Sequence, residues 1–370
     1  MKMWKKAIFI IVPVILIVVF SSIVCSEAFS DKRNSAITFQ DKNFEKRIRS
    51  ILKKPKGKIL KKDVEGLKEL RLQGSDIKIS NDLKWFAGLE RLEMGLNPLT
   101  EIEALEKLKK LKVLSLEGCF QITEISSLKD LTNLEYLNLN DLKINNLSTL
   151  KKLVKLKMLW INSLDHVSNI SVLENMKDLS DLELRRCSNV DMAPLKSLVK
   201  LEHLSIGSDK LLNIDKLSAL TNLESLDLSS NQIKSINVIG NFTKLKRLYL
   251  NGNAISDLKP LADLQYLNEL YLNKNQITDI SSLGSLKSLK ILELNNNKIS
   301  DASPLEKLVN LKRLDISYNN IKDFSTFKKS LQITDLVGEG NPGSTSNTEM
   351  KTDISTQRLK KAIEEANLLE

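Results

Sequence analysis

The segment Leu245-Lys246-Arg247-Leu248-Tyr249-Leu250-Asn251-Gly252-Asn253-Ala254-Ile255 decides the fold, because its pattern returns every 22 or 23 residues along most of the chain. The alternation of apolar and polar residues at its centre predicts a short strand. The residues that follow carry apolar side chains at steps of three, which favours a 3₁₀-like return. The copies open at Leu67, Leu89, Leu111, Leu134, Leu156, Leu179, Leu201, Leu223, Leu245, Leu267, Leu289 and Leu311, and Ile333 continues the register.

A single copy of this repeat cannot fold by itself. Its apolar anchors number about seven and stabilise it by on the order of 10–20 kcal/mol when they are buried. Fixing the backbone of each of its 22 residues costs roughly 1–2 kcal/mol, which exceeds that gain. The copies must therefore stack and share a core. We expect a parallel sheet of about twelve short strands.

The pattern Leu-x-x-Leu-x-Leu-x-x-Asn-x-Ile, followed by segments such as Ile255-Ser256-Asp257-Leu258-Lys259-Pro260-Leu261, resembles the internalin type of leucine-rich repeat, which is typical of exported bacterial proteins. The resemblance implies an α/β fold, a leucine-rich repeat solenoid. It would have a curved parallel β-sheet on its concave face, 3₁₀ or short helical segments on its convex face, and a small helical N-terminal cap.

An asparagine lies eight residues after the opening residue in every copy from Asn231 to Asn341, but it is replaced between Cys119 and Asp209. An amide side chain both donates and accepts hydrogen bonds, so we expect this asparagine to satisfy backbone groups where each strand ends. The middle coils should then be less regular. Cys119 and Cys187 lie three copies apart, roughly 14 Å, which is too far for a disulfide. We expect buried, free thiols.

The chain is predicted to have four segments. Three lysines precede an apolar run at residues 7–24, which predicts a secretory signal peptide or an N-terminal membrane anchor. Apolar residues at helical spacing near Asp41 predict a capping helix. The segments are 1–28 (signal peptide or anchor), 29–66 (helical cap, with Phe44, Ile48, Ile51 and Leu52 on its apolar face), 67–341 (about twelve repeats) and 342–370 (linker and short C-terminal helix).

Composition disfavours several classes of function. Two histidines and three cysteines among 370 residues leave little material for a metal centre or a histidine-based catalytic set. We therefore expect no enzyme, no metal and no cofactor. The net charge of +10 is concentrated at the N-terminus: residues 1–66 hold 15 basic and 6 acidic side chains, and the remainder hold 41 and 40. The repeats thus offer no basic stripe, and we expect no nucleic-acid partner.

Strand residues two, four and six positions after each opening leucine should point away from the core, onto the concave face. Tyrosine, tryptophan and arginine are the side chains that most often anchor protein interfaces. Aromatic residues also favour strands for their own sake, so their presence alone is weaker evidence. The predicted partner-binding residues are Tyr136, Trp160, Arg185, His203, Arg247, Tyr249 and Tyr271.

The sequence predicts a non-enzymatic recognition module that is secreted or displayed at the cell surface and binds a protein partner, or a glycan, through its concave face. Residues 7–24 would hold it in the cell membrane as a transmembrane helix if the leader is not cleaved. The alternative is an intracellular regulatory scaffold resembling phosphatase-regulatory leucine-rich repeat proteins, which share the 22-residue length. The apolar leader argues against that alternative.

Overall fold

The computed structural model describes residues 33–162, 167, 169–186, 190–207, 210–328 and 332–344. Across these residues thirteen parallel strands form one sheet in chain order, and each strand is hydrogen-bonded to the next. The sheet is curved and open, so the predicted leucine-rich repeat solenoid is confirmed. The expected number of strands was about twelve. The thirteenth belongs to the copy that Ile333 opens.

Most strands have only three residues, and these are the residues of each repeat in which apolar and polar side chains alternate. The strands are β1 Glu69–Arg71, β2 Arg91–Glu93, β3 Val113–Ser115, β4 Tyr136–Asn138, β5 Met158–Asn162, β6 Asp181–Arg185, β7 His203–Ser205, β8 Ser225–Asp227, β9 Arg247–Tyr249, β10 Glu269–Tyr271, β11 Ile291–Glu293, β12 Arg313–Asp315 and β13 Asp335–Val337.

The core is a stack of aliphatic columns. The central leucine of each strand pairs in register with the central leucine of the next, as Leu248 does with Leu270 and Leu270 with Leu292. All three are completely buried. Because each strand is too short to bury its apolar face alone, this continuous column provides the stability that no single repeat could have.

The return path of most coils contains a short 3₁₀ helix, whose central apolar residue points into the core, as Leu283 does. The steps of three in the sequence match this geometry. The 3₁₀ helices of the described residues are Asn81–Trp85, Glu103–Lys107, Ser126–Leu128, Ser148–Lys152, Ser171–Asn175, Ala193–Ser197, Asp215–Leu217, Asn237–Asn241, Lys259–Leu261, Ser281–Ser285 and Ser303–Lys307. An α-helical turn at Ser325–Lys328 takes this position in the last coil.

The chain leaves each strand through a left-handed residue. Seven residues after the opening position, every described coil has a positive φ, for example 68° at Gly252, 57° at Lys274 and 52° at Tyr318. This conformation turns the backbone away from the sheet, and it is favourable for glycine but strained for most other residues. The asparagine that comes next is therefore placed beneath the turn.

The repeated asparagine links three coil segments. In Asn275, Nδ2 donates to the carbonyls of Leu250 (3.0 Å) and Leu272 (2.9 Å), and Oδ1 accepts from the N–H of Ile255 (3.0 Å). The same three bonds recur at Asn253, Asn297, Asn319 and Asn341. The predicted role of this position is confirmed.

Cys119 takes over part of the asparagine's role. It is a buried, free thiol, as predicted, and its Sγ donates to the carbonyl of Met94 at 3.3 Å. Burial raises the pKa of this thiol, so it stays protonated and able to donate. Unlike the amide oxygen of an asparagine, it does not accept from the backbone N–H of the preceding coil, and the N–H of Leu99 makes no hydrogen bond within the described residues.

The middle coils depart from the pattern, as expected. Strands β5 and β6 extend to five residues and pair along their whole length, through Asn162 opposite Arg185. Both belong to copies whose asparagine position carries another residue. Of the residues that replace the asparagine, Leu164, Cys187 and Asp209 lie outside the described residues, and so does the expected separation of the two thiols.

The N-terminal cap consists of helix α1 (Lys42–Ile51) and the single turn α2 (Lys61–Val64), with a bridge from Ala36 to Leu60. Phe44 and Ile48 of α1 are completely buried, as predicted, but Ile51 is exposed because the helix ends there.

Two buried carboxylates tie the cap to the repeats. Asp41 Oδ1 accepts from the N–H groups of Asn43 and Phe44 at the start of α1, and its Oδ2 accepts from the N–H groups of Lys78 and Ile79 in the first coil. Asp82 accepts in turn from the N–H of Asp41 at 2.9 Å. Each carboxylate thus bridges a cap segment and a coil segment.

The predicted leader (1–28), its apolar run (7–24) and the predicted C-terminal helix near 359–369 lie outside the described residues. Within the described part of the chain, no helix has the length and apolar character needed to span a membrane.

Candidate functional site

All seven predicted partner-binding residues lie on the strands β4–β7, β9 and β10, at positions that alternate with buried leucines. They therefore project from the solvent-facing, concave face of the curved sheet. We expected exposed rings, but the structure places each of these side chains at intermediate exposure. The reason is lateral packing, since each ring lies against side chains from neighbouring strands.

Tyr136 and Trp160 form an aromatic pair with their ring centroids 5.3 Å apart in an edge-to-face arrangement. The indole Nε1 of Trp160 donates to Asp181 Oδ1 at 2.6 Å, across to strand β6. We call Tyr136, Trp160 and Asp181 the Trp160 patch. Burial raises the pKa of the Tyr136 hydroxyl, although Asn138 opposes this. The patch is thus an ordered apolar surface with polar groups fixed around it.

A depression of about 480 Å³ lies beside the Trp160 patch, on the N-terminal side of the sheet face. Its lining mixes apolar atoms of Val113 and Met158 with charged groups of strand β2 and of the residues next to strands β3, β4 and β5. Sequence reasoning missed these residues because it considered aromatic and arginine side chains one strand at a time. Reading three adjacent strands together could have found them. The charged lining residues are Arg91, Glu93, Glu117, Glu135 and Lys157.

Tyr249 and Tyr271 form a second aromatic pair, with parallel rings (interplanar angle 11°) and centroids 4.7 Å apart. Burial raises the pKa of both hydroxyls, and the carboxylate of Glu269 adds to the effect. Burial likewise raises the pKa of Glu293, on the adjacent strand β11. We call Tyr249, Tyr271, Glu269 and Glu293 the Tyr249 patch. It presents aromatic faces within an acidic surrounding.

An ionic network separates the two patches. Arg185 contacts Asp227 Oδ2 (2.6 Å), Ser205 Oγ (3.1 Å) and Glu183 Oε1 (3.1 Å). The predicted contact residue Arg185 is thus engaged within the protein and crosses two strands to reach Asp227. Its guanidinium would have to exchange these partners to bind another molecule, so it is better suited to fixing the surface than to anchoring a partner.

His203 and Arg247 lie between the patches on β7 and β9. His203 is flanked by Asp181 and Ser225, and Arg247 by Ser225 and Glu269. Arg247 has no salt bridge among the described residues. The seven residues therefore form two clusters rather than one. Trp160 and Tyr249 lie four strands apart, roughly 19 Å.

The polar groups of this face include carboxylates, amides, hydroxyls and arginines, and several of them bond to one another. Within the described residues, no group of three or more histidine, cysteine, aspartate or glutamate side chains is placed to hold a metal ion.

Comparison with known proteins places this solenoid among the leucine-rich repeats. The family "Leucine Rich repeats (2 copies)" matches residues 88–130, 221–263, 267–307 and 287–329. No curated protein sequence matches the chain. The functional domain of InlJ from Listeria monocytogenes has a similar fold (TM-score 0.54, 18% identity, 80% of this chain and 79% of that chain covered). A TDR receptor does as well (TM-score 0.59, 16% identity, 76% and 57% covered).

A crystal structure of the internalin InlF from Listeria monocytogenes is more similar in sequence and in structure. It is 31% identical to this chain and aligns with a TM-score of 0.79, covering 85% of this chain and 93% of that one. On this evidence the chain belongs to the internalin family of leucine-rich repeat proteins.

Proposed function

We propose that this chain is an exported, non-enzymatic recognition protein that binds a partner protein through the concave face of its curved sheet. The fold is one that serves protein interaction, and its internalin and receptor relatives support a binding role. Export is proposed from the apolar run at residues 7–24 behind three lysines, within the leader 1–28.

The observation that carries the proposal is the pair of aromatic patches. At equivalent positions on the sheet face, other coils carry small or charged residues such as Ser115, Ser205 and Asp227, and they fold with the same geometry. The rings of Trp160 and Tyr249 are thus not needed to build the coil. Half-buried aromatic side chains on an otherwise polar face are the usual anchors of a protein interface.

The spacing of the patches favours a protein over a glycan. Two anchors roughly 19 Å apart, with charged side chains between them, fit a contact of about 800 Å² on each partner, which is the usual size of a stable protein interface. A short oligosaccharide would instead occupy one groove, such as the depression beside Trp160. Aromatic stacking alone would serve either ligand.

The test begins with a photo-crosslinking residue in place of Tyr271, and a matched chain with the same residue in place of Tyr266. Tyr266 is 66% exposed but precedes β10 and lies off the sheet face. We expect capture of one discrete protein from the surroundings of the cell only with the crosslinker at position 271. Equal capture from both positions would contradict the proposal.

Affinity for the captured protein then decides which residues matter. Each anchor should contribute about 2 kcal/mol or more, so Trp160→Ala combined with Tyr249→Ala should weaken binding by about a thousandfold. Tyr266→Ala is the control and should leave the Kd unchanged. Far-ultraviolet circular dichroism should show that the double variant and the Tyr266→Ala control are folded like the natural protein. A Kd unaffected by the double substitution would exclude the sheet face as the binding site.

A further inference from the structure

The N-terminal cap has many more basic side chains than acidic side chains that could pair with them. Between residues 33 and 66 the chain has eleven basic and four acidic side chains. All four carboxylates are engaged inside the cap. Asp41 accepts backbone N–H groups, Glu45 pairs with Arg49 at 2.7 Å, Asp63 pairs with Lys54 at 2.7 Å, and Glu65 pairs with Arg33.

Six cap lysines remain exposed and without a salt bridge among the described residues. They are Lys42, Lys46, Lys53, Lys56, Lys58 and Lys62. The rest of the chain differs in its charge balance, because residues 67–370 hold 41 basic and 40 acidic side chains. Some lysines there pair with a carboxylate one coil away, as Lys112 does with Glu90 and Lys246 with Glu224, and others are unpaired. The excess of positive charge in the cap is therefore a local feature.

Three of these lysines converge on one side of helix α1. Lys42, Lys46 and Lys53 line a depression of about 640 Å³ together with Arg49, Ser50 and Pro55. This side is opposite to the face that buries Phe44 and Ile48. The only acidic residue of this lining is Glu45, which is already paired with Arg49. A concave cluster of ammonium groups of this kind matches a phosphate-bearing headgroup in charge and in size.

The chain preceding the cap brings this face near a membrane. Eight residues separate the apolar run that ends at Val24 from Arg33, so the two can be at most about 30 Å apart. If residues 7–24 occupy a bilayer, the lysine cluster is held within reach of its surface.

We propose that the lysine face of the cap (Lys42, Lys46, Lys53, Lys56 and Lys58) docks on the surface of an anionic phospholipid bilayer. Each lysine near such a surface strengthens the attraction, and the attraction weakens as salt screens it. Docking would fix the orientation of the solenoid relative to the membrane. The proposal is independent of the identity of any protein that binds that face.

The experiment uses the full chain reconstituted into vesicles of phosphatidylcholine alone, or of phosphatidylcholine with phosphatidylglycerol. Both kinds of vesicle offer the same hydrocarbon interior to the apolar run, so a difference between them reports the headgroup. Acetylation of each lysine by an amine-reactive reagent is followed by mass spectrometry. We expect Lys42, Lys46, Lys53, Lys56 and Lys58 to react roughly tenfold more slowly in the anionic vesicles, and high salt to restore their reactivity.

A charge-matched pair of variants separates local docking from net charge. In one, Lys42, Lys46 and Lys53 become glutamine. In the other, glutamine replaces three exposed and unpaired lysines of the repeats, Lys290, Lys298 and Lys312. Protection of Lys56 and Lys58 should be lost in the first variant and retained in the second.

Three results would overturn the proposal: equal lysine reactivity in both kinds of vesicle, protection that survives high salt, or equal loss of protection in both variants. Protection by soluble polyphosphate without protection by anionic vesicles would assign the face to a phosphate polymer and likewise exclude docking on lipid.

Discussion

The repeated asparagine binds three backbone groups in each regular coil, as Asn275 illustrates. Asn275 is 4% exposed and satisfies two carbonyls and one N–H that belong to three different segments. An alanine would leave the buried N–H of Ile255 unpaired, and it would remove one of the two donors of each carbonyl, since Leu250 also accepts from Asn253 and Leu272 from Asn297. A buried unpaired polar group costs about 1–3 kcal/mol and each lost hydrogen bond costs about 1 kcal/mol, so Asn275→Ala should lower the free energy of unfolding by about 3 kcal/mol or more.

Urea denaturation measures this loss, and Asn273→Ala is the matched control. Asn273 lies two residues earlier in the same coil at intermediate exposure, and its side chain makes no hydrogen bond among the described residues. Its replacement should change the free energy of unfolding by less than about 0.5 kcal/mol. Equal losses in the two variants would show that the side-chain amide of Asn275 is not the cause.

Cys119 offers the opposite substitution. Its thiol reaches Met94, but the N–H of Leu99 lacks the acceptor that an asparagine supplies to the coil before it elsewhere in the stack. Asn97 does this for Ile77 at 2.9 Å. Cys119→Asn should therefore raise the free energy of unfolding by about 1 kcal/mol, the net contribution of a typical hydrogen bond.

Thermal and urea denaturation of the Cys119→Asn chain would check this increase. Cys119→Ala is the comparison, and it should be less stable than the natural protein because the Met94 carbonyl loses one of its two donors and keeps only Asn97 Nδ2. If the asparagine destabilises the protein as much as the alanine does, the site is too tightly packed to accept an amide, and the equivalence of the coils fails at this position.

Among the elements, the stability of the N-terminal cap depends on the ionised carboxylate of Asp41. Burial raises the pKa of Asp41, but the N–H groups of Lys78, Phe44, Ile79 and Asn43 outweigh this and bring it below its ordinary value of 3.8. A carboxylate with a lowered pKa stabilises the fold above 3.8, and this contribution disappears as the pH falls through the lowered pKa. Asp82, whose pKa is raised by burial, has the opposite dependence.

Asp41→Asn isolates this contribution. The amide oxygen can still cap α1, but its NH₂ group faces the N–H groups of Lys78 and Ile79 and cannot accept from them. We expect the variant to be about 1–3 kcal/mol less stable near neutral pH. The difference between the two chains should shrink below pH 3.8, as the natural carboxyl becomes protonated. Hydrogen exchange of the Phe44 amide measures it, and a difference independent of pH would contradict the assignment.

The elements also show what the sequence could predict. The 22-residue period specifies the register because one leucine column, such as Leu248 to Leu292, must stay continuous to be buried. The start of the capping helix was equally predictable from Asp41. The extension of β5 and β6 was foreseen only as irregularity, because the sequence shows that the asparagine is missing but not what the strand does without it.

The candidate surface was less predictable for a physical reason. The positions of Trp160 and Tyr249 on the sheet face follow from the alternation of the strand. Their contacts do not, because they depend on diagonal neighbours that lie 20 or more residues away in sequence, such as Asp181 for Trp160. The division into two patches arises in the same way, since Arg185 reaches Asp227 across two strands.

At the scale of the whole molecule, the asparagines are distributed unevenly. Those from Asn231 to Asn341 connect the coils of β7–β13 without interruption, whereas Cys119 and Leu142 occupy the position in the coils of β3 and β4. Because repeat proteins derive their cooperativity from contacts between neighbouring coils, fewer such contacts should weaken the coupling. We therefore expect two cooperative units, with β7–β13 the more stable.

Hydrogen exchange at increasing urea concentration tests this expectation. The amides of Leu250 and Leu272, which donate to Tyr271 and Glu293, should stay protected to higher urea than those of Leu116 and Leu139, which donate to Asn138 and Trp160. Asn297→Ala should lower the protection of the first pair and leave the second unchanged, since its three bonds all lie within the C-terminal coils. Loss of protection of all four amides at one urea concentration, shifted together by Asn297→Ala, would mean that the aliphatic core alone couples the stack and that the asparagines do not divide it.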